Sequence, residues 1–244
     1  ATISAGGGTI ARVDAARQPV VGPDSAGADP GPVAYGLGGV DPTVSDADIA
    51  LGKVDPERFA GGAIQLDVAA AQDAISTVIE APLGLPTGMG AFAVMEMVDE
   101  TMANAARVHA VEQGANAAEY TLIAFGGAAP LHVGRLALKL NISKIVIPAN
   151  AGVGSAVGLL RAPVSYEVVR SLPMPLSNFD AAKANEGFAA MAAEAEVVVR
   201  AGAGDAPLFE RRTAFMRYRG QGHEIVVPLA NDALNEASRD DLQA

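Results

Sequence analysis

The stretch Ala124–His132, read Ala-Phe-Gly-Gly-Ala-Ala-Pro-Leu-His, constrains this chain more than any other segment. It follows the apolar run Tyr120–Ile123 and leads into the amphipathic run Leu131–Leu140. A strand that enters paired glycines and then a helix leaves bare N–H groups at a helix start, where a nucleotide or anion can approach closely. Gly126 and Gly127 are therefore the first binding candidates. A tight turn with no ligand would carry the same residues.

The pattern around this turn is an αβ alternation. Tyr120–Phe125 and Lys144–Pro148 are predicted strands, Leu131–Leu140 and Val153–Leu160 predicted helices, and such alternation implies a sheet with helices on its faces. Upstream, Thr9–Val13 and Gln18–Val21 form an expected hairpin across the turn Asp14–Arg17. Gly22–Pro32 holds too many breakers for a regular element, and a short helix is expected after Thr43 to Leu51. Asp67 is a predicted N-cap for a helix over Val68–Ile79, broken by Pro82–Gly90. A long helix over Phe92–Gln113 carries Met95, Val98, Met102, Ala105 and His109 on one stripe and ends at Gly114. Beyond Pro163 the character changes. Ser165–Arg170 reads as extended, and Asp180–Ala201 as an Ala-rich helix with Phe188, Met191, Ala195 and Val198 facing inward. After the break Gly202–Asp205, Arg211–Tyr218 and His223–Pro228 read as a hairpin.

Composition narrows the function. The 244 residues are 50 % hydrophobic and 18 % charged, as a globular chain is, and 17 basic against 28 acidic residues give a net charge of -11. Such a chain repels phosphate backbones and anionic lipid, so nucleic acid and membranes are not expected partners. Cysteine is absent, which removes disulfides, thiolate nucleophiles and Cys-type zinc sites and fits a cytoplasmic setting. No apolar run approaches the ~20 residues of a membrane span. No basic-then-apolar signal peptide is expected at the N-terminus.

Chemistry-bearing residues are few. The three histidines show no His-x-x-x-His spacing, so no metal site is assigned. His109 lies on the apolar stripe and is expected in the core. His132, one turn into the helix after the glycines, can pack, cap or touch a ligand. Gly6, Gly7 and Gly8 could cradle a phosphate through consecutive amides or form a sheet-edge turn. Asp46 and Asp48 could bind a metal or act as base, but capping the short helix is the expected role. Glu96, Asp99, Glu100 and Asn104 are expected on a solvated helix face, from which a carboxylate could reach ribose hydroxyls. No catalytic residue is assigned.

Several of these pieces together match a family. Gly6–Ala11, Gly22–Pro32, Pro42–Ala47, Phe125–His132, Gly154–Gly158 and Arg217–Gln221 follow one another as in hydantoinase A and 5-oxoprolinase, and the chain resembles that family, whose relatives include the nucleotide-binding subunits of acetone and acetophenone carboxylases. It departs from the usual pattern at Ala129, Ala34 and Asp99, where many relatives carry Gly, Cys and Asn.

The resemblance implies an α/β lobe of the actin-like (ribonuclease H-like) ATPase fold. Residues 1–163 would form the core lobe, 164–204 a connecting strand and helix, and 205–244 the start of a C-terminal β-rich domain. The family's Asp-x-Gly-Gly-Thr phosphate motif is not in this sequence, so the chain is expected to be an internal portion of a larger subunit. The resemblance further implies ATP and Mg²⁺, with Gly126, Gly127 and Ala128 as the adenosine-side turn near the helix face that carries Asp99. Gly6, Gly7, Gly8 and His132 are the further cofactor-binding candidates read from the residues, and no residue is assigned to the metal. It also implies a cyclic amide or ketone as substrate, a hydantoinase B-type partner subunit and an oligomer. The expected activity is ATP-dependent cyclic-amide hydrolysis. A ketone carboxylase subunit, or a non-catalytic lobe that docks a partner subunit, is the alternative.

Overall fold

A computed structural model of the chain describes residues 6–243, and the chain divides into two units, Ala1–Leu160 and Arg161–Ala244. In the first unit, β1 (Thr9–Val13) and β2 (Pro19–Ser25) form an antiparallel hairpin. Asp14 closes its turn by accepting from the N–H groups of Ala16 and Gln18. β2 runs through Gly22 and Pro23 as far as Ser25, into the segment expected to be loop. On its other side β1 bridges Ile10 to Thr43, with Ala11 N–H donating to the Pro42 carbonyl at 2.8 Å.

Helix α1 (Val44–Ala50) begins at a reciprocal capping box between Thr43 and Asp46. Asp67 caps α2 (Val68–Ile75) by accepting from Ala70 N–H. The helix runs past Ile79 and ends at Gly84, inside the expected break Pro82–Gly90. It passes through a π-helical turn (Ser76–Glu80) into a last turn, α3 (Ala81–Leu83). The π turn shifts the ladder just before Pro82, so the absent proline N–H costs little there. The long helix α4 (Met89–Glu112) follows, and Gly114 at φ +65 marks its exit.

The first unit's core lies among these elements. Ala11, Val44, Ala47, Ile75, Ile79, Ala91, Val94 and Val98 form one cluster, and Ala34, Ile49, Leu66 and Ala71 a second. On α4 the last buried residue is Ala103. His109 is therefore not a core histidine: its side chain is 58 % exposed and stands 4.0 Å from Glu112. The stripe continues in sequence, but past Ala103 no element covers it fully.

The expected strands on either side of the glycine turn shrink to β3 (Leu122–Ile123) and β4 (Ile145–Val146), which pair in parallel. Helix α5 (Ala129–Leu140) is the crossover between them, so β3–α5–β4 is a βαβ unit. The wider sheet implied by the alternation is not seen among the described residues, which hold three separate two-stranded sheets. Helix α6 (Gly154–Arg161) follows, beginning one residue later than expected.

In the second unit Ser165–Arg170 forms no strand. Asp180 caps α7 (Ala181–Ala203). Phe188, Met191 and Ala195 on α7 are half-buried, whereas Val198 is exposed and not part of an inward face. β5 (Arg212–Met216) and β6 (Ile225–Leu229) make the expected hairpin, with His223 exposed, and α8 (Ser238–Gln243) comes last. The architecture is mixed α/β. No helix among the described residues is long and apolar enough to cross a membrane.

Candidate functional site

The glycine turn sits at the rim of a cleft of about 250 Å³ whose lining includes Gly7, Gly8, Tyr35, Asp48, Gly127 and Ala128. Two glycine segments far apart in sequence thus meet at one hollow. Gly126 sits at φ +99, where L side chains are strained, and its N–H donates to Ala151 O at 2.6 Å. A Cβ on Gly127 would meet nothing within 4 Å, so its backbone is open to a close-approaching ligand.

Gly7 and Gly8 have a different reason to be glycine. A Cβ on Gly7 would lie 2.5 Å from Ser45 Oγ, and one on Gly8 3.1 Å from Ser25 Oγ. Their carbonyls hold Ser45 N–H and Ala26 N–H, so this turn pins α1 and the end of β2. Gly6 stands outside the cleft lining and bonds to Thr9. Tyr35 and Phe59 form a tilted ring pair 5.5 Å apart in the same lining. Burial, reinforced by the charge of Asp46, pushes the Tyr35 phenol above its usual range. A second hollow of about 330 Å³ shares Val54, Phe59, Gly127 and Leu131 with the first and adds the cations Lys53 and Arg58.

Behind the turn, three helices converge on one imidazole. His132, in the first part of α5, places Nδ1 2.9 Å from Asp99 Oδ1 on α4 in a buried hydrogen bond. Its Nε2 lies 3.1 Å from Asp48 Oδ2 on α1, close enough for an ion pair but without hydrogen-bond alignment. Lys53 Nζ reaches Asp48 Oδ1 at 2.9 Å and the Leu131 carbonyl at 3.3 Å. Arg135 Nε stands 3.5 Å from Asp99 Oδ2.

The electrostatics follow from this geometry. Burial alone would push the His132 pKa down, but the contacts with Asp48 and Asp99 outweigh it and hold the imidazole at about 9. Burial would likewise raise Asp48, yet His132 and Lys53 keep its carboxyl below the usual range. The group is an imidazolium between two carboxylates, flanked by two further cations. Outside it, Glu96 pairs with Arg135 and Lys139, and Lys139 also meets Glu100 at 2.9 Å, which ties α4 to α5 along the more exposed side.

The site residues expected from sequence divide three ways, and Gly6 and Gly126 stand outside the cleft lining. Gly7, Gly8, Gly127 and Ala128 line the cleft, while His132 and Asp99 lie buried behind it. Asp99 is not on a solvated face: it is fully buried, with one oxygen on His132 and the other near Arg135. Asp46 does cap, accepting from the N–H groups of Val33, Ala34 and Thr43 and from Thr43 Oγ1. Asp48 does not cap and belongs to the histidine group. Lys53, Tyr35 and Phe59 were not singled out by the sequence; the αL-prone break at Gly52 before Lys53 was the available signal.

The family model described as hydantoinase/oxoprolinase matches residues 1–168. The chain belongs to the hydantoinase/oxoprolinase family. Within that family it is 36 % identical over 241 residues to the caprolactamase subunit alpha of Pseudomonas jessenii, covering 97 % of this chain and 35 % of that one. It is 42 % identical over 158 residues to the acetophenone carboxylase gamma subunit of Aromatoleum aromaticum, covering 64 % of this chain and 21 % of that one. The crystal structure of the ATP-dependent caprolactamase from Pseudomonas jessenii superposes with a TM-score of 0.73 at 36 % identity, over 98 % of this chain and 35 % of that one. The chain spans about a third or less of the length of these relatives.

Proposed function

We propose that this chain is part of an ATP-dependent cyclic-amide hydrolase. The observation that supports this reading is the likeness to caprolactamase, which reaches 97 % of this chain at 36 % identity, whereas an acetone carboxylase structure is matched over 98 % of it at 29 % identity with a TM-score of 0.70. The likeness to the acetophenone carboxylase subunit covers 64 %.

The cleft fits part of a nucleotide. Its volume of about 250 Å³ falls below the ~300–1,000 Å³ that encloses a whole drug-sized ligand. Gly127, with its open backbone, and Ala128 would take the adenosine side, and the neighbouring hollow carries Lys53 and Arg58, paired with Asp48 and Asp55. Gly7 and Gly8 face the same space from the other wall. In this reading residues 1–163 correspond to one lobe of an actin-like ATPase, 164–204 to a connector and 205–244 to the start of a β-rich region. No group of His, Asp and Glu among the described residues is placed to hold a metal ion, so no Mg²⁺ role is assigned to this chain's side chains.

Bound ATP would supply a phosphoryl group to the amide oxygen, which makes a poorly electrophilic carbonyl carbon accessible to water. This chain's residues would bind and orient the nucleotide, with the Tyr35–Phe59 pair excluding water from one wall. A B-type subunit would complete the site. The second reading is a ketone carboxylase subunit, favoured by the higher identity of 42 % to the acetophenone carboxylase subunit.

Phosphate release by the full-length protein decides between them. Release that depends on a lactam, hydantoin or 5-oxoproline is the expected result. Release that needs ketone plus bicarbonate would replace it with the carboxylase. Release with neither, and no nucleotide bound, would leave a lobe that only docks a partner.

A further inference from the structure

Helix α5 starts without a side-chain cap: its N-cap, Ala128, offers the first turn only its backbone carbonyl, which accepts from Leu131 N–H. What fixes that turn is tertiary. On the strand side Gly126 N–H is tied to Ala151 O, and on the helix side the ties are His132 and the Lys53 contact to the Leu131 carbonyl. His132 is gripped by residues of two other helices, Asp48 on α1 and Asp99 on α4, and all three side chains are at most 4 % exposed. Asp48 also contributes to the cleft lining, so the buried group has one member at the cleft itself.

We propose that His132, held between Asp48 and Asp99, is the positioning residue that sets the Gly127–Ala128 lip of the cleft. Its bearing on a nucleotide rests on the reading above. The imidazolium touches no reacting atom; it acts through the first turn of α5. It joins α1, α4 and α5 at one point, so a shift of any of the three is transmitted to the lip. The charged groups facing it are Asp48 with its partner Lys53 from α1 and the segment after it, Asp99 from α4, and Arg135 from α5 itself. Misplacement of a binding backbone by about 1 Å can cost on the order of 100-fold in function, so a distant clamp is a strong lever.

His132→Asn is the informative variant, because an asparagine amide can keep the Asp99 contact while losing reach to Asp48. Asp48→Asn cuts the same tie from the other side and preserves shape. In hydrogen exchange on this chain, both variants are expected to speed exchange at amides 131–134 by about tenfold or more, with Val94 and Val98 in the core unchanged. Unchanged exchange at 131–134 would overturn the clamp. Equal acceleration at Val94 and Val98 would also overturn it, since His132 would then be mere core packing. In the full-length protein, ATP affinity by calorimetry is expected to fall about tenfold or more in His132→Asn. An affinity equal to wild type would refute any bearing on the ligand. A wild-type protein that binds no nucleotide would instead sink the ATPase reading, and the exchange result alone would then judge the clamp.

Discussion

Asp46 and Asp48 lie two residues apart on α1 and do unrelated work. Asp46 is at the third helical position after Thr43, where a carboxylate can reach back to the free N–H groups, and this much is legible from spacing alone. Asp48 points to a histidine far along the chain, and no local pattern announces such a partner. The two carboxylates give separate predictions. Asp46→Ala leaves three buried or half-buried N–H groups and a hydroxyl without their acceptor, at about 1–3 kcal/mol for each buried loss, so urea unfolding should show a drop of at least about 3 kcal/mol. For His132 the folded pKa of about 9 exceeds the ordinary 6.5, so the imidazolium stabilises fully below pH 6.5. That contribution should shrink as pH rises from 6.5 and vanish above about 9, and His132→Asn should remove this slope from the stability–pH profile. The opposite limb belongs to Asp48, whose lowered pKa makes its contribution fade as pH falls through the acid range.

The elements divide by whether their cause is local. The capped starts of α1, α2 and α7 are correctly placed by sequence because a cap needs only residues three positions apart. The strands around the glycine turn are shorter than their apolar runs, since a strand exists only where a partner pairs with it, and the partner is not written in the run itself. The π turn before Pro82 is likewise invisible to a periodicity of 3.6. Glycines show the same division. Gly90 packs where a Cβ would lie 2.6 Å from Glu80 Cγ and 2.9 Å from Ile75 Cγ2, whereas Gly127 opens onto empty space. Gly90→Ala should therefore cost about 1–3 kcal/mol by overpacking α4 against the end of α2. Gly127→Ala should leave stability within about 0.5 kcal/mol, and any fall in ATP affinity of the full-length protein would then report loss of backbone approach rather than loss of fold.

Across the whole molecule, the family model ends at residue 168, close to the boundary between the two units after Leu160. The units also differ in what holds them. The first contains both core clusters; in the second, Ala184 is the one buried residue among those described, and Phe209 is 95 % exposed. Stability on the scale of a domain comes from apolar burial that outweighs chain entropy, and a segment with so little interior cannot supply it alone. The sequence disguised this, because α7 and the β5–β6 hairpin carry sound local signals for structure and none for whether a core lies beneath them. Hydrogen exchange should accordingly show strong protection in α1, α2 and the first half of α4, and near-unprotected amides throughout residues 161–243. Protection of β5 and β6 equal to that of α4 would mean that the second unit is stabilised by something other than its own buried surface.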